Sequence, residues 1–325
     1  MPPSPRDSDY RPLLPYVPRF TSDGMEIDLA GRKVSVTGPP GQLAAIAALS
    51  NGRYSAAAIA TAVDGVALDD LGELFAALAR AGAVVDTSEA WRVFHRWTAV
   101  DSPLGRPVEL AELVAMLDER YEQPGADGGG EGVTLDPSPT SLDGLLARRR
   151  SSQEGDPAQP VSFPQLSALL GAMYGGDGPT GRPVPSGGGL YPLAIHVLLR
   201  SAVGQLAPGV WWFDPAGRRL RSVTSGPPPV ESAFAQDRNT LDRLSRGQPV
   251  VIVSADVARG ARKYASRAYR LALMEVGAAM QNAYLVATDL DVPIRALLGI
   301  DDAGVTDLLK LPDGAVPLLA LLVGQ

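Results

Sequence analysis

Hydrophobic and polar residues alternate near the start of the chain, and a helical period then replaces the alternation. The segments MEIDLAG and RKVSVTG alternate around Gly31-Arg32 and predict a short β-hairpin. Apolar residues then recur at helical spacing over residues 41–49, 55–63 and 68–81, and the third segment ends at Gly82. The apolar run at residues 83–85 predicts a closing strand. These elements would form one small domain over residues 21–90.

The second half of the chain has a different pattern, in which helices and strands are interleaved. The helix predicted over residues 162–174 is amphipathic, and its apolar face consists of Leu166, Leu169, Leu170 and Met173. Apolar runs predict strands at residues 193–199, 209–214, 219–223, 248–255 and 316–323, and a short helix is predicted at residues 302–309. This order predicts an α+β fold over residues 141–325.

The longest predicted helix covers residues 259–289 and should lie at the centre of this fold. It is apolar on nearly all sides from Leu271 onward. Five cations precede that apolar part: Arg259, Arg262, Lys263, Arg267 and Arg270. Because cations near a helix N-terminus oppose the macrodipole, the cluster indicates either a bound anion or polar reaction centre, or a solvated basic loop.

The remaining segments connect or precede these domains. Residues 1–20 contain six prolines and are predicted to form an extended arm draped over a neighbouring domain or a partner. Residues 91–140 are predicted to be a linker with one helix at residues 108–121. Five glycines within residues 125–132 predict a flexible tether inside this linker.

The composition excludes several classes of function. A net charge of -7 over 325 residues argues against binding to nucleic acid or to an anionic membrane. The sequence has no cysteine and two histidines, so it cannot form a disulfide or a cysteine-ligated metal site, and a histidine-rich metal site is disfavoured. No apolar run reaches the roughly 18 residues of a membrane span. We expect a cytoplasmic protein.

The order of elements in the N-terminal domain is that of a small winged helix. Its sequence resembles the winged-helix modules that bind leader peptides in enzymes that modify ribosomally made peptides, as well as winged-helix DNA readers. Between Thr21 and Trp91 there are nine acidic and four basic residues, whereas a DNA-reading helix needs the opposite balance. A structural or dimerisation module without a ligand is the remaining alternative.

Two motifs of the second half have the composition of ligand-binding segments. The segment RRRSS at residues 148–152 combines guanidinium groups with hydroxyls, which are the donors that a phosphate needs. The segment PSGGGLYP at residues 185–192 contains three consecutive glycines, which allow a flat or anionic ligand to approach the backbone. Taken alone, the glycine motif is equally consistent with a turn.

Four segments in order give residues 141–325 a resemblance to the flavin-dependent nitroreductase superfamily, and within it to the SagB-type azoline dehydrogenases of peptide modification. They are RRRSS, PSGGGLYP, KYASRAYRLALMEVGAAMQN at residues 263–282 and GIDDAGVTDLLKLP near the end. The resemblance implies a nitroreductase-like α+β fold behind the winged-helix domain, FMN as cofactor, a homodimer, a precursor peptide as substrate and a cyclodehydratase as a partner.

The resemblance also implies roles for individual residues of the cofactor site. Arg149, Arg150 and Ser151 would bind the phosphate of FMN, and a register with Arg150 and Ser152 would serve equally. The isoalloxazine ring would lie against the segment composed of Pro185, Ser186, Gly187 and Gly188. A backbone N–H at Arg295-Ala296 would face the reactive flavin nitrogen.

The pair Lys263-Tyr264 distinguishes azoline oxidation from the other reactions of this superfamily. Oxidation of an azoline to an azole removes a proton from one ring carbon and a hydride from its neighbour, so a base must stand beside the flavin. An adjacent ammonium favours the tyrosinate form, and the resemblance implies that Lys263 and Tyr264 abstract the proton. We expect Glu275 to be a buried structural partner of Arg267, Arg270 or Arg149. Another flavin-dependent oxidoreductase and a non-catalytic peptide-binding module are the alternative functions.

Overall fold

A computed structural model of the chain describes residues 3–29, 32–98, 138–153, 159–176, 181–234, 241–242, 244 and 246–324. The predicted helix at residues 108–121 and the glycine-rich stretch at residues 125–132 lie outside these ranges. Within them, no helix is both long and apolar enough to cross a membrane.

The N-terminal module contains a three-stranded antiparallel sheet and three helices. The predicted hairpin is confirmed, with β3 (Gly24–Asp28) paired to β4 (Lys33–Thr37). The predicted helices are also present as α1 (Pro40–Leu49), α2 (Ala56–Ala62) and α3 (Leu68–Arg80). They cover a core that includes Met25, Ile27, Leu43, Ile46, Ile59, Leu71 and Phe75. The winged-helix assignment of this module stays a prediction.

Part of the predicted N-terminal arm packs into this module. The side chain of Tyr10 is buried in the module core against Phe75, at 5.9 Å between ring centroids. Two short strands of the arm pair with the module: β1 (Pro12–Leu13) with β5 (Val85–Asp86), and β2 (Arg19–Phe20) with β3. The arm also contacts the module before Tyr10, through the ion pair of Arg6 with Glu73, so it belongs to the fold of the module.

The start of the predicted linker is a helix that packs on the second half of the chain. A 3-10 turn at Thr87–Glu89 leads into α4 (Ala90–Thr98). Trp91 is buried in the core of the second half and stacks on Tyr269 with ring centroids 6.2 Å apart. Trp91 therefore belongs to that core, and the start of the predicted linker is attached to the second half of the chain.

The second half is built on a six-stranded antiparallel sheet with the order β10-β11-β9-β6-β7-β8. Its strands are β6 (Leu193–Leu199), β7 (Gly209–Asp214), β8 (Arg219–Ser225), β9 (Val250–Asp256), β10 (Ile294–Leu297) and β11 (Ala315–Val323). Alternate residues of β6, β9 and β11 enter two separate cores, one on each face. Because both faces are covered, these strands are continuous apolar runs in the sequence.

Helices lie on both faces of this sheet, and α5 (Asp143–Arg148) precedes them. One face is covered by α6 (Phe163–Tyr174) and the other by α9 (Asp302–Leu309) together with Val230, Ala233 and Phe234. The predicted helices at residues 162–174 and 302–309 and the predicted α+β class are confirmed.

The single central helix predicted over residues 259–289 is wrong, because the structure divides it in two. The first part is α7 (Val257–Tyr264), and the second is α8 (Arg267–Asp289), which packs beside α6. Ala265 between them has φ 48° and ψ −141°, outside the helical region. The break distributes the cations over two helices. Arg262 and Lys263 stand in the last turn of α7, where the helix dipole favours them.

Candidate functional site

The glycine segment forms a tight turn against the start of α8. Gly187–Gly189 is a 3-10 turn, and Gly188 has φ 65°. A Cβ atom at Gly187 would lie 2.9 Å from Cδ1 of Leu271 on α8. Only residues without a side chain fit such a close approach between a loop and a helix. The turn therefore needs its glycines for backbone conformation and for space.

Lys263 and Tyr264, at the end of α7, converge on this turn. A Cβ atom at Gly188 would collide with the hydroxyl of Tyr264 and would lie 2.9 Å from Nζ of Lys263. The ammonium of Lys263 is 5.2 Å from the centroid of the Tyr264 ring. Lys263 is exposed and Tyr264 is half-buried. The structure thus brings the predicted catalytic pair directly beside the predicted ring-binding segment.

A buried hydrogen-bond network lies beneath the glycine turn. Tyr174 donates its hydroxyl to Oε1 of Glu275 at 2.6 Å and accepts the backbone N–H of Leu193 at 3.1 Å. Ser186 also hydrogen-bonds to Glu275, and its hydroxyl accepts the backbone N–H of Tyr191 at 2.9 Å. Burial raises the pKa of Glu275, and the hydrogen bonds from Ser186 and Tyr174 oppose that rise. The network fixes the conformation of the turn.

The expected partners of Glu275 are corrected by this arrangement. Arg149, Arg267 and Arg270 were predicted, whereas the cation that interacts with Glu275 is Arg182. The guanidinium of Arg182 lies between two aromatic rings, 4.6 Å from the centroid of Tyr174 and 4.5 Å from that of Tyr191.

Sequence reasoning missed this support of the turn. Asn282 of α8 adds to it by donating to the carbonyl groups of Ala172 and Pro183. The sequence signal that could have indicated this network is a polar residue at the apolar edge of a predicted helix, such as Tyr174.

The arginine segment lies at the other end of α8. Ser151 Oγ is 3.0 Å from the hydroxyl of Tyr284, and the guanidinium of Arg149 is 5.5 Å from the Tyr284 ring. The backbone N–H of Ser152 donates to the carbonyl of Ile294 on β10 at 2.8 Å. These contacts place Arg149 and Ser151 together, facing α8.

The alternative register faces a different part of the structure. Arg148, Arg150 and Ser152 line a cavity of about 530 Å³ that Asp291 and Pro293 also border. An extended segment directs alternate side chains to opposite sides, which separates the two registers.

The backbone donor expected at Arg295-Ala296 is engaged within the chain. The N–H of Ala296 donates to the Tyr284 hydroxyl at 2.9 Å, while Arg295 lies on β10 opposite Leu322 of β11. Tyr284 therefore connects Ser151 to β10. Among the described residues, no group of three or more histidine, cysteine, aspartate or glutamate side chains could hold a metal ion.

The outward face of α8 is apolar and exposed in the single chain. Met274 is 68% exposed, although it lies on the helix that both candidate ligand segments contact. Other large exposed apolar side chains of this half are Leu142, Leu146, Leu273 and Leu298. Leu273 and Met274 are neighbours on α8, and exposed apolar side chains that lie together are common where another molecule binds.

Residues 146–325 match the nitroreductase family. This segment is more than half of the chain, and the chain therefore belongs to the nitroreductase family, with its α+β fold. Members of the family are oxidoreductases that generally bind a flavin. The residues present fit such a group: the glycine turn has open space at Gly189, where a side chain would otherwise stand, and the Arg149 segment supplies donors for a phosphate.

Two relatives and one solved structure extend the family match. A nitroreductase-type protein of Methanocaldococcus jannaschii is 32% identical over 185 residues, which are 57% of this chain and 90% of that protein. The microcin B17-processing protein McbC of Escherichia coli is 29% identical over 149 residues, which are 44% of this chain and 54% of McbC. This chain thus matches about half of the length of McbC.

The solved structure is the E. coli microcin synthetase McbBCD complex with truncated pro-MccB17 bound. One of its chains has a TM-score of 0.52 to this chain at 22% identity, covering 76% of this chain and 97% of its own length. At this identity, the likeness concerns the fold alone.

Proposed function

We propose that the protein is an FMN-dependent dehydrogenase that oxidises thiazolines or oxazolines in a ribosomally made peptide to thiazoles or oxazoles. The observation that carries the proposal is the convergence of Lys263 and Tyr264 on Gly188, in the segment proposed to hold the flavin ring. A base and a hydride acceptor would then face the same substrate, as the oxidation of an azoline requires.

The proposed chemistry assigns one step to this chain and one to the cofactor. Aromatisation of an azoline releases one proton and one hydride from neighbouring ring carbons, and FMN, when bound, supplies the hydride acceptor. Lys263 and Tyr264 act together as the base that takes the proton, with Nζ of Lys263 5.2 Å from the centroid of the Tyr264 ring.

The cofactor would be held by two separate segments. Arg149 and Ser151 are proposed to bind the phosphate, with Arg150 directed to the cavity on the other side. The flavin ring is proposed to lie against the backbone of a second segment, which consists of Pro185, Ser186, Gly187 and Gly188. The Ser186 hydroxyl is already engaged by Glu275 and by the Tyr191 N–H, so it stabilises the turn.

The relatives support a peptide as the substrate. McbC is named as a microcin B17-processing protein, and the microcin synthetase complex contains a truncated pro-microcin. We extend this to a precursor peptide as substrate and a cyclodehydratase as partner of the present chain. The N-terminal module is proposed to be a winged-helix domain that binds the leader of the peptide, because its net charge disfavours DNA and β4 is an edge strand of its sheet.

Substitution of the proposed base pair tests the assignment. Tyr264→Phe and Lys263→Ala should each keep FMN bound and lower kcat for azoline oxidation by at least about a hundredfold, the usual scale for the loss of general acid–base catalysis. The assay measures loss of two hydrogens per ring by mass spectrometry. Removal of the leader from the peptide should raise KM.

Arg149→Ala provides the opposite control. It should lower FMN occupancy, with activity recovered at high added FMN, because the residue acts on the phosphate. Wild-type rates in FMN-loaded Tyr264→Phe would assign the protein to another reaction of the nitroreductase family. A colourless protein that takes up no FMN would leave only the peptide-binding function.

A further inference from the structure

The position of the catalytic pair depends on a strained connection between two helices. Ala265 follows Tyr264 directly and has φ 48° and ψ −141°, a conformation that residues with a Cβ rarely adopt. The N–H of Ala265 still donates to the carbonyl of Ala261 at 2.9 Å, so α7 is intact up to Tyr264. A strained residue persists where the surrounding contacts over-determine it. Those contacts come from outside α7 and α8.

The segment that holds this connection is the 3-10 turn and α4. The hydroxyl of Ser266 donates to the carbonyl of Thr87 at 2.8 Å, directly after the strained residue. One turn further on, Tyr269 stacks on Trp91, with ring centroids 6.2 Å apart and planes at 15°. Trp91 is buried, so this contact belongs to the core of the second half.

A polar chain completes the attachment of α4. His95 Nδ1 is 3.0 Å from the hydroxyl of Tyr269, and that hydroxyl also hydrogen-bonds to Thr98. On its other side, His95 Nε2 is 3.3 Å from Oδ2 of Asp302, at the start of α9. His95 therefore links α8 to α9 through one imidazole ring. We call Thr87, Trp91 and His95 the α4 clamp.

The α4 clamp is continuous with the N-terminal module. Residues 85–86 pair with residues 12–13 of the module, and Asp86 accepts the backbone N–H groups of Arg11 and Ser88. The 185 residues matched to the M. jannaschii relative are 90% of that protein, which is therefore too short to contain both the family domain and a counterpart of residues 1–98.

We propose that the α4 clamp is a positioning device for the catalytic site, through which the N-terminal module sets the geometry of Lys263 and Tyr264. It holds Ser266 and Tyr269 after the break at Ala265, and so directs the end of α7 onto Gly188. The inference rests on the proposed function for the role of the pair, but the clamp itself is a property of the fold. None of its residues belongs to the segments proposed to bind the flavin.

The test compares three variants at the contact between the α4 clamp and α8 with a matched control, all in the FMN-loaded full chain. Tyr269→Phe removes one hydroxyl and keeps the stacking on Trp91, whereas His95→Ala removes the imidazole and His95→Gln restores a hydrogen-bonding side chain. Tyr54→Phe removes a hydroxyl from an exposed tyrosine of the N-terminal module. Hydrogen exchange of the Ala265 amide reports the last turn of α7, and azoline oxidation reports the chemistry.

We expect exchange at Ala265 to accelerate by about tenfold in Tyr269→Phe and His95→Ala, because local opening becomes easier. In the same variants kcat should fall by about tenfold with KM within about twofold of wild type, since a displaced base affects the reaction more than binding. His95→Gln should recover most of both losses. Tyr54→Phe should match the wild type.

Each result decides a separate claim. Unchanged hydrogen exchange of the Ala265 amide in both Tyr269→Phe and His95→Ala would overturn the proposal that the clamp positions the pair. Accelerated exchange together with a wild-type kcat would overturn it as well. If the wild-type enzyme oxidises no azoline, the proposed function fails. The exchange comparison still decides, in that case, whether α4 holds the end of α7 in place.

Discussion

His196 is a buried histidine on the face of the sheet opposite α8. Its side chain is 6% exposed, and its Nδ1 atom has no hydrogen-bond partner among the described residues. With Trp212 and Ser254 it borders a cavity of about 480 Å³. Burial lowers the pKa of His196 to about 4, so the imidazole is neutral at pH 7.

His196 should make the fold sensitive to mild acid. Its pKa is about 4 in the folded protein against an ordinary value of 6.5, so between these values the unfolded chain binds a proton that the folded chain excludes. The contribution of His196 to the free energy of unfolding is complete above pH 6.5. It falls as the pH drops toward 4, by about 3 kcal/mol. Urea unfolding across this range should show a smaller loss in His196→Gln. Equal losses in both proteins would contradict the assignment.

The candidate site residues could be recognised in the sequence because their chemistry is local. Lys263 and Tyr264 are adjacent, and the glycines of the turn are consecutive, so each group could be recognised as a unit. Their proximity to each other followed only from the family resemblance. The predicted arginine partners of Glu275 were wrong. Arginine and tyrosine can both hydrogen-bond a buried carboxylate, and only tertiary packing decides which of them does so.

At the scale of elements, long apolar runs were predicted well and the break at Ala265 was missed. The strands of the main sheet are buried on both faces, so their sequences carry a clear signal. The break has no such signal in the sequence. Ala265 and Ser266 are neither glycine nor proline, and alanine is the best helix former. It is accompanied by contacts of Ser266 with Thr87 and of Tyr269 with Trp91, both far away in sequence.

The strain at Ala265 predicts an unusual response to glycine. Ala265→Gly should raise the free energy of unfolding by about 1 kcal/mol, because release of the strain exceeds the entropy that glycine adds to the unfolded chain. Ala261→Gly, within the same helix, is the matched control and should lower it by about 1 kcal/mol. Chemical denaturation measures both. Similar destabilisation by the two substitutions would show that Ala265 is unstrained.

At the scale of the molecule, the two halves of the proposed cofactor site are far apart in one chain. Leu271, which contacts the glycine turn, and Tyr284, which contacts Ser151, are separated by about 20 Å along α8 at 1.5 Å per residue. Between them lies the exposed apolar face that includes Met274. We propose that two chains pair through this face and that each complete site takes one segment from each chain.

Sedimentation should therefore show a dimer for the FMN-loaded protein. Met274→Arg should shift it to monomer and lower FMN occupancy together, because a charge would be buried between apolar surfaces. Val17→Arg places the same charge on an exposed apolar position of the N-terminal module and should leave both unchanged. A monomer with full FMN occupancy would exclude the shared site.

The burial of Trp91 also limits how this protein could have arisen and how it can change. The family match begins at residue 146, yet a side chain from position 91 fills part of the core of that domain. Loss or exchange of the whole segment before the family domain would therefore remove Trp91 and leave a void beside Tyr269. Recombination in this lineage would be tolerated upstream of residue 85 more readily than at the boundary of the family domain.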